Sequence, residues 1–413
     1  MEKICVLGLG YIGLPTAIFF ADKGYQVYGC DINENLVGDL NKGQIHIDEP
    51  GLVEKYHEVT KNGQLSFSTD PTEADVFMIA VPTPLNGNKK ADLAYVKCAI
   101  ENISPFIKEG DLVIVESTIP PQTIEMVVAP LIKKTGLNPD ENEVLIAYCP
   151  ERVIPGSILE ELNNNDRIVG GYTEEASEAA ARIFEPNIKG EVYRTTAITA
   201  EMTKLMENTY RDVNIALANE LALISEELEV DSYEVINLAN KHPRVHVHQP
   251  GPGVGGHCIP IDPYFIMEKV GKQTPLIQTA REINEQMPTI VTKKVKQLKE
   301  THKIEKIALL GLSYKGNVSD VRESPALKIA ELLAEQGYDV KAHDPFVHES
   351  EIKIKLHSLE ESLDQADLAL VLVDHDRYKQ LSSQAFTSMN QQVVFDTKNC
   401  LTVEESITLY RLG

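Results

Sequence analysis

Cys258 stands in the run Gly251-Pro-Gly-Val-Gly-Gly-His-Cys258-Ile-Pro-Ile-Asp262-Pro-Tyr-Phe265, a thiol on a loop built from glycine. Four glycines ahead of the sulfur let backbone approach a ligand closely, and a carboxylate follows four residues after it. A thiol so placed suggests a covalent nucleophile; the plainer alternative is an ordinary buried cysteine. A second set of residues points to a dinucleotide. Gly8-Leu-Gly10-Tyr11-Ile12-Gly13 follows an apolar strand, opens a helix and leads to Asp31, 18 positions past its last glycine, which is the full context that a dinucleotide turn requires. Gly8 allows the tight turn, Gly10 admits the pyrophosphate, and Gly13 lets helix and strand pack closely. The phosphates then rest on the helix N-terminus. Asp31 would accept the adenosine ribose hydroxyls and repel a 2′-phosphate, so the expected cofactor is NAD.

These residues need a scaffold, and 413 residues are too many for one ordinary core. The chain carries a diverged repeat. Lys3-Ile-Cys-Val-Leu-Gly8, a helix, and Lys23-Gly24-Tyr-Gln-Val-Tyr-Gly-Cys-Asp31 are matched by Lys306-Ile-Ala-Leu-Leu-Gly311, a helix, and Gln336-Gly337-Tyr-Asp-Val-Lys-Ala-His-Asp344. Strand-like runs at 75–81, 111–117, 143–149, 167–171 and 191–196 alternate with helical stretches, as in a parallel α/β sheet. Helical periodicity then continues from 197 to about 230 without Pro or Gly, and again over 277–300. Further strands are expected near 306–310, 339–343, 368–373 and 393–396. The expected fold is α/β, two Rossmann-like doubly wound parallel-sheet domains joined by a long central helix. The expected boundaries are 1–196 for the NAD-binding domain, 197–300 for a helical connector with the cysteine loop, and 301–413 for the second Rossmann-like domain.

In the second copy Ser313 replaces the middle glycine, so a pyrophosphate could not come as close, while Lys315 and Arg322 add cations. That loop suits a different nucleotide; solvated surface charge is the bland alternative. The 39 basic and 62 acidic residues leave a net charge of −23, which argues against nucleic acid or an anionic membrane as partner. Six cysteines without a CxxC pair suggest a reduced, cytoplasmic protein. No apolar stretch approaches the roughly 20 residues of a membrane span, and the N-terminal strand is too short for a signal peptide.

Taken in order, Gly8-Leu-Gly-Tyr-Ile-Gly13, Val81-Pro82-Thr83-Pro84, Glu116-Ser-Thr118, Cys149-Pro-Glu151, Lys204-x3-Asn208, Gly255-Gly-His-Cys258-x3-Asp262 and Asp320-x-Arg322-Glu-Ser324 resemble the UDP-glucose/GDP-mannose dehydrogenase family over essentially the whole chain. His242-Pro-Arg244-Val and Gln249-Pro-Gly-Pro-Gly253, ahead of the cysteine loop, look like the branch acting on UDP-N-acetyl-D-mannosamine. The resemblance implies oxidation of a sugar C6 alcohol to a carboxylate with two NAD, on a UDP-sugar substrate. UDP-N-acetylglucosamine, its galacto epimer and UDP-glucose remain alternative substrates. It also implies a homodimer in which Arg244 reaches the neighbouring subunit's site.

An aldehyde offers no hydride from a tetrahedral carbon until something adds to it, so a thiohemiacetal on Cys258 makes chemical sense. Lys204 and Asn208, four apart on a helix, share a face where they could stabilise an oxyanion. By resemblance Asp262 assists proton transfer in the first oxidation, with Lys204 an alternative base, and Glu151 activates the hydrolytic water. Thr118 contacts that water or the cofactor. The family motifs further imply Gly8, Gly10, Tyr11, Ile12, Gly13, Asp31, Pro82, Thr83, Thr118 and Arg322 at the cofactor. At the substrate they imply Glu151, Arg152, Lys204, Asn208, Arg244, Gly255, Tyr314 and Lys315. Pro155 and Ile261 stand where members acting on UDP-glucose commonly carry an acid and a lysine. Two rivals from other classes are a metal-dependent enzyme using His242, His246, His248, His257 and Cys258, and a single-step reductase or NAD-sensing module in which Cys258 is merely buried.

Overall fold

The computed structural model describes residues 2–413. The chain divides into two compact units, Met1–Glu207 with Tyr264–Val270, and Asn208–Pro263 with Gly271–Gly413. The first holds an eight-stranded sheet of order β3-β2-β1-β4-β5-β6-β7-β8. Its strands are β1 (Lys3–Leu7), β2 (Gln26–Cys30), β3 (Leu65–Ser68), β4 (Val76–Ile79), β5 (Leu112–Val115), β6 (Leu145–Tyr148), β7 (Arg167–Gly171) and β8 (Val192–Thr196). Every residue of β4 and β5 is buried, as expected for strands covered on both faces by helices. Two apolar clusters, one on each face, form the core of this unit.

One strand departs from the expected parallel sheet. β7 runs antiparallel to β6, pairing Ala147 with Gly171 and Tyr148 with Gly170. The connection between them holds only the short helix Ile158–Asn164, which does not carry the chain back across the sheet; parallel neighbours need such a crossover. The physical result is local: β7 starts at the edge where β6 ends.

The second unit repeats the plan on five strands of order β10-β9-β11-β12-β13, namely β9 (Lys306–Leu310), β10 (Asp339–His343), β11 (Leu368–Val371), β12 (Val393–Asp396) and β13 (Thr408–Arg411). All pairings in this sheet are parallel. The duplication read from sequence reappears in the hydrogen bonds. Gly8 N–H donates to Cys30 O at 2.8 Å and Gly311 N–H to His343 O at 2.8 Å; Leu9 N–H donates to Asp31 and Leu312 N–H to Asp344.

The two aspartates then diverge. Asp31 accepts one further backbone N–H, from Asn33. Asp344 accepts from Leu312, Ser313, Phe346 and Val347 and meets His375 Nε2 at 3.1 Å. Burial works against its charge, yet the His375 and backbone hydrogen bonds hold its carboxyl down at about 2. A folded-state value below the unfolded one adds stability above the unfolded value, and that gain is lost as pH falls through the folded value. We expect about 2 kcal/mol to disappear between roughly pH 4 and pH 2. The check is the difference in urea midpoint between wild type and Asp344→Asn, which should shrink over that window; a constant difference would rule this out.

The long helix Ala197–Glu227, 31 residues and about 46 Å by the usual rise, contains the division between the units. A second long helix, Pro275–His302, admits Pro288 in its interior. Among the described residues no helix is long and apolar enough to cross a membrane.

Candidate active site

In the first unit the C-terminal ends of the strands carry the polar residues. Strand order reverses between β2-β1 and β4-β5, and ligands of open α/β sheets settle at such a reversal. Gly8 leaves β1 with φ +90°, and a Cβ there would lie 2.5 Å from Ala80 O. Gly13, the first residue of helix α1 (Gly13–Asp22), is tighter still, since a Cβ would lie 1.8 Å from Gly8 O. Around Gly10 a Cβ would meet nothing within 4 Å, and no side chain caps α1. An open glycine before an uncapped helix start fits the phosphates of NAD, and the half-buried Asp31 retains acceptor capacity for a ribose.

Tyr11 is exposed and Ile12 half-buried on the same turn. Pro82 and Thr83 follow β4. The Thr83 hydroxyl donates to Thr118 O at 2.6 Å, and Ser117 Oγ accepts from Val81 N–H at 2.9 Å. These bonds lock the 81–83 and 117–118 loops together.

Glu151, one loop beyond β6, is 8% exposed. Its Oε1 accepts from Arg152 N–H at 2.7 Å, and its Oε2 accepts from Arg167 Nη1 at 2.5 Å. Arg167 opens β7, so the antiparallel step sets this buried ion pair at the β6 edge. Arg152 turns to Glu207 at 2.8 Å and to the carbonyl of Asp166. Lys204 is buried on the long helix, one turn before Asn208.

In the second unit the cysteine loop is clamped against the turn after β9. Gly256 N–H donates to Arg322 O at 2.9 Å. A Cβ on Gly255 would lie 2.7 Å from Glu323 O, and one on Gly256, at φ +86°, would strike the Tyr314 ring at 2.9 Å. Glycine is required here because the loop lies flat on Tyr314 and the 322–325 backbone.

That clamp leaves Cys258 half-buried; the Arg322 guanidinium is held in its charged form chiefly by Asp320, with the sulfur a minor further influence. Arg322 is otherwise paired with Asp320 at 2.6 Å. Asp262 begins the helix Asp262–Val270 and its N–H donates to Cys258 O at 2.9 Å. Asn208 donates from Nδ2 to the buried Asp262 carboxylate, and Arg211 donates to the Asn208 oxygen. Sulfur, carboxylate and amide are thus gathered in one unit.

A pocket beside this loop is walled by Pro252, Tyr314, Lys315, Asp374 and Lys398 among others. Lys398 and Asp374 escaped the sequence reading; the available signal was a charged residue just past each of β12 and β11. The histidines of the cysteine segment turn to other partners. His246 and His248 stack edge-on at 5.5 Å, and His257 Nδ1 lies 3.9 Å from Asp320. Among the described residues no three His, Cys, Asp or Glu side chains converge as a metal ion would need. Arg244 is exposed.

Three models of one family match nearly end to end: its NAD binding domain over 2–188, central domain over 198–286 and UDP binding domain over 308–403. The chain belongs to the UDP-glucose/GDP-mannose dehydrogenase family. It is an NAD-dependent nucleotide-sugar dehydrogenase. A UDP-N-acetyl-D-mannosamine dehydrogenase of Methanocaldococcus jannaschii is 46% identical over all of this chain and 96% of its own length. The solved UDP-N-acetyl-mannosamine dehydrogenase of Staphylococcus aureus is 47% identical with a TM-score of 0.92, covering 100% of this chain and 99% of that one. An NDP-N-acetyl-D-galactosaminuronic acid dehydrogenase of Ralstonia nicotianae is 44% identical over 96% of each. The walls that β9, β11 and β12 give to the pocket fall within the family's UDP binding domain, its Pro252 and Gly253 wall within the central domain, and the open glycine turn within the NAD binding domain.

Proposed function

We propose that this family member oxidises the C6 alcohol of UDP-N-acetyl-D-mannosamine to UDP-N-acetyl-D-mannosaminuronate. Full-length likeness near 46% to proteins of that name supports the sugar. One observation carries the chemistry: a half-buried thiol on a glycine clamp beside a guanidinium, with Asp262 and Asn208 joined behind it. The Gly8–Gly13 turn and Asp31 would hold NAD, which would supply the hydride acceptor for each oxidation.

Asp262, oriented by Asn208, assists removal of the alcohol proton, with Lys204 as the other candidate base. Cys258 adds as thiolate to the C6 aldehyde, forming the C–S bond of a thiohemiacetal whose oxidised form is a thioester. Asn208 and Lys204 stabilise the oxyanion. Water then adds its oxygen to the thioester carbon while Glu151 takes its proton; the C–S bond breaks and sulfur leaves as thiolate. In this division of labour residues 1–196 bind NAD, 301–413 bind UDP through Tyr314, Lys315 and Lys398, and 197–300 supply the thiol.

A homodimer is also proposed. Tyr210, Leu217 and Ile224 are exposed on the long helix at spacings of seven and seven, an apolar stripe fit for a like helix. Light scattering that returns only monomer mass at assay concentration would sink that part.

The galacto epimer is the second reading, favoured by the Ralstonia nicotianae relative. A panel of UDP-sugars assayed for NADH separates them. The manno substrate is expected to give two NADH per sugar and the highest kcat/KM; a tenfold preference for another sugar would replace this reading.

A further inference from the structure

Behind Glu151 lies a second acid that the chemistry above does not use. Glu116 follows the last residue of β5, at the same edge as Glu151, and is 4% exposed. Neither of its carboxyl oxygens has a hydrogen-bond partner, and neither does Nε of Arg167. The Thr16 hydroxyl, from α1, is near enough to Glu116 to favour its charged form slightly, but its geometry falls short of a hydrogen bond. Cys149, after β6, completes the surroundings as a neutral thiol, its ionisation pushed well up by burial and then by Glu116.

The cluster therefore holds two carboxyls and one guanidinium, all at least nine-tenths buried. With both acids ionised it would carry a net negative charge out of water, which is costly; one proton makes it neutral. Glu151 already has both oxygens engaged, one of them by Arg167. Glu116 has neither, so the proton belongs there. Burial, and then the Glu151 carboxylate, push Glu116 up to about 8, although Arg167 pulls the other way.

We propose that Glu116 is a positioning residue for thioester hydrolysis, holding a proton at neutral pH so that the whole charge of Arg167 is committed to Glu151. This rests on the reading of Glu151 as the hydrolytic base. When Glu116 loses its proton, two carboxylates compete for one guanidinium, and Glu151 loses the partner that fixes its orientation.

Two measurements test the proposal. Decay of the Cys258 acyl-enzyme, followed by rapid quench and mass spectrometry, should slow about 10-fold in wild type between pH 7 and pH 9, one decade per pH unit beyond the ionisation. Glu116→Gln, which keeps the shape of the protonated acid, should lie within about 3-fold of wild type at pH 7 and stay flat to pH 9. An alkaline limb persisting in that variant would overturn the proposal. Infrared difference spectra of the full chain, with no substrate, should show a protonated carboxyl at pH 7 that vanishes by pH 9 and is missing from Glu116→Gln. No such band in wild type would overturn it equally, even if the variant failed to fold. Failure of the underlying reading looks different: Glu151→Gln would then leave acyl-enzyme decay unchanged.

Discussion

Cys258→Ser should abolish uronate formation, by at least about 10³-fold in kcat, while NAD binding and the fold are retained. A serine hydroxyl is a far weaker nucleophile than a thiol at neutral pH, because almost none of it is present as alkoxide. The loop itself should not suffer, because Gly255, Gly256 and the bond from Gly256 N–H to Arg322 O set its shape. The measurement is NADH released per sugar, with NAD affinity followed separately by fluorescence. Any NADH from the first oxidation should stop at one per sugar, with free aldehyde trapped by a hydrazine. Two NADH per sugar at wild-type rate would remove Cys258 from the chemistry.

Arg167→Leu should destabilise the first unit by about 3–5 kcal/mol, because it leaves a buried carboxylate without its countercharge. The side chain also sits 5.2 Å over the Phe184 ring, and leucine keeps part of that apolar contact. The urea midpoint of the full chain reads the effect. The double replacement Glu151→Leu with Arg167→Leu should recover much of the loss, since no orphaned charge remains. A double variant as unstable as the sum of its singles would show that packing, not charge, governs the site.

The elements were legible wherever local pattern suffices. β7, β9, β10 and β12 begin and end where the apolar runs 167–171, 306–310, 339–343 and 393–396 place them, and the long helix starts at Ala197 as its periodicity indicates. Strand direction was not legible. Arg-Ile-Val-Gly-Gly reads alike in either sense, so β7 was expected parallel, and the Glu151–Arg167 pair that its reversal creates went unseen. β13 was missed because Thr408-Leu-Tyr-Arg is short and nowhere fully buried, leaving no apolar run to find. At the candidate site, glycine spacing carried the cofactor turn and the cysteine clamp, since a missing Cβ is a local property. Glu116 was visible only as part of a motif. Its isolation from hydrogen-bond partners depends on which strands lie beside β5, and sequence order does not reveal that.

The twin aspartates that close β2 and β10 also bear on protein engineering. Asp344 spends its oxygens on four backbone amides and an imidazole, so it serves as a rivet for its own turn. Asp31 binds only two amides and keeps room for a guest. Grafting a glycine-rich turn onto the later copy would therefore not create a second dinucleotide seat. Its aspartate would first have to be freed from His375, and that release would loosen the turn it holds.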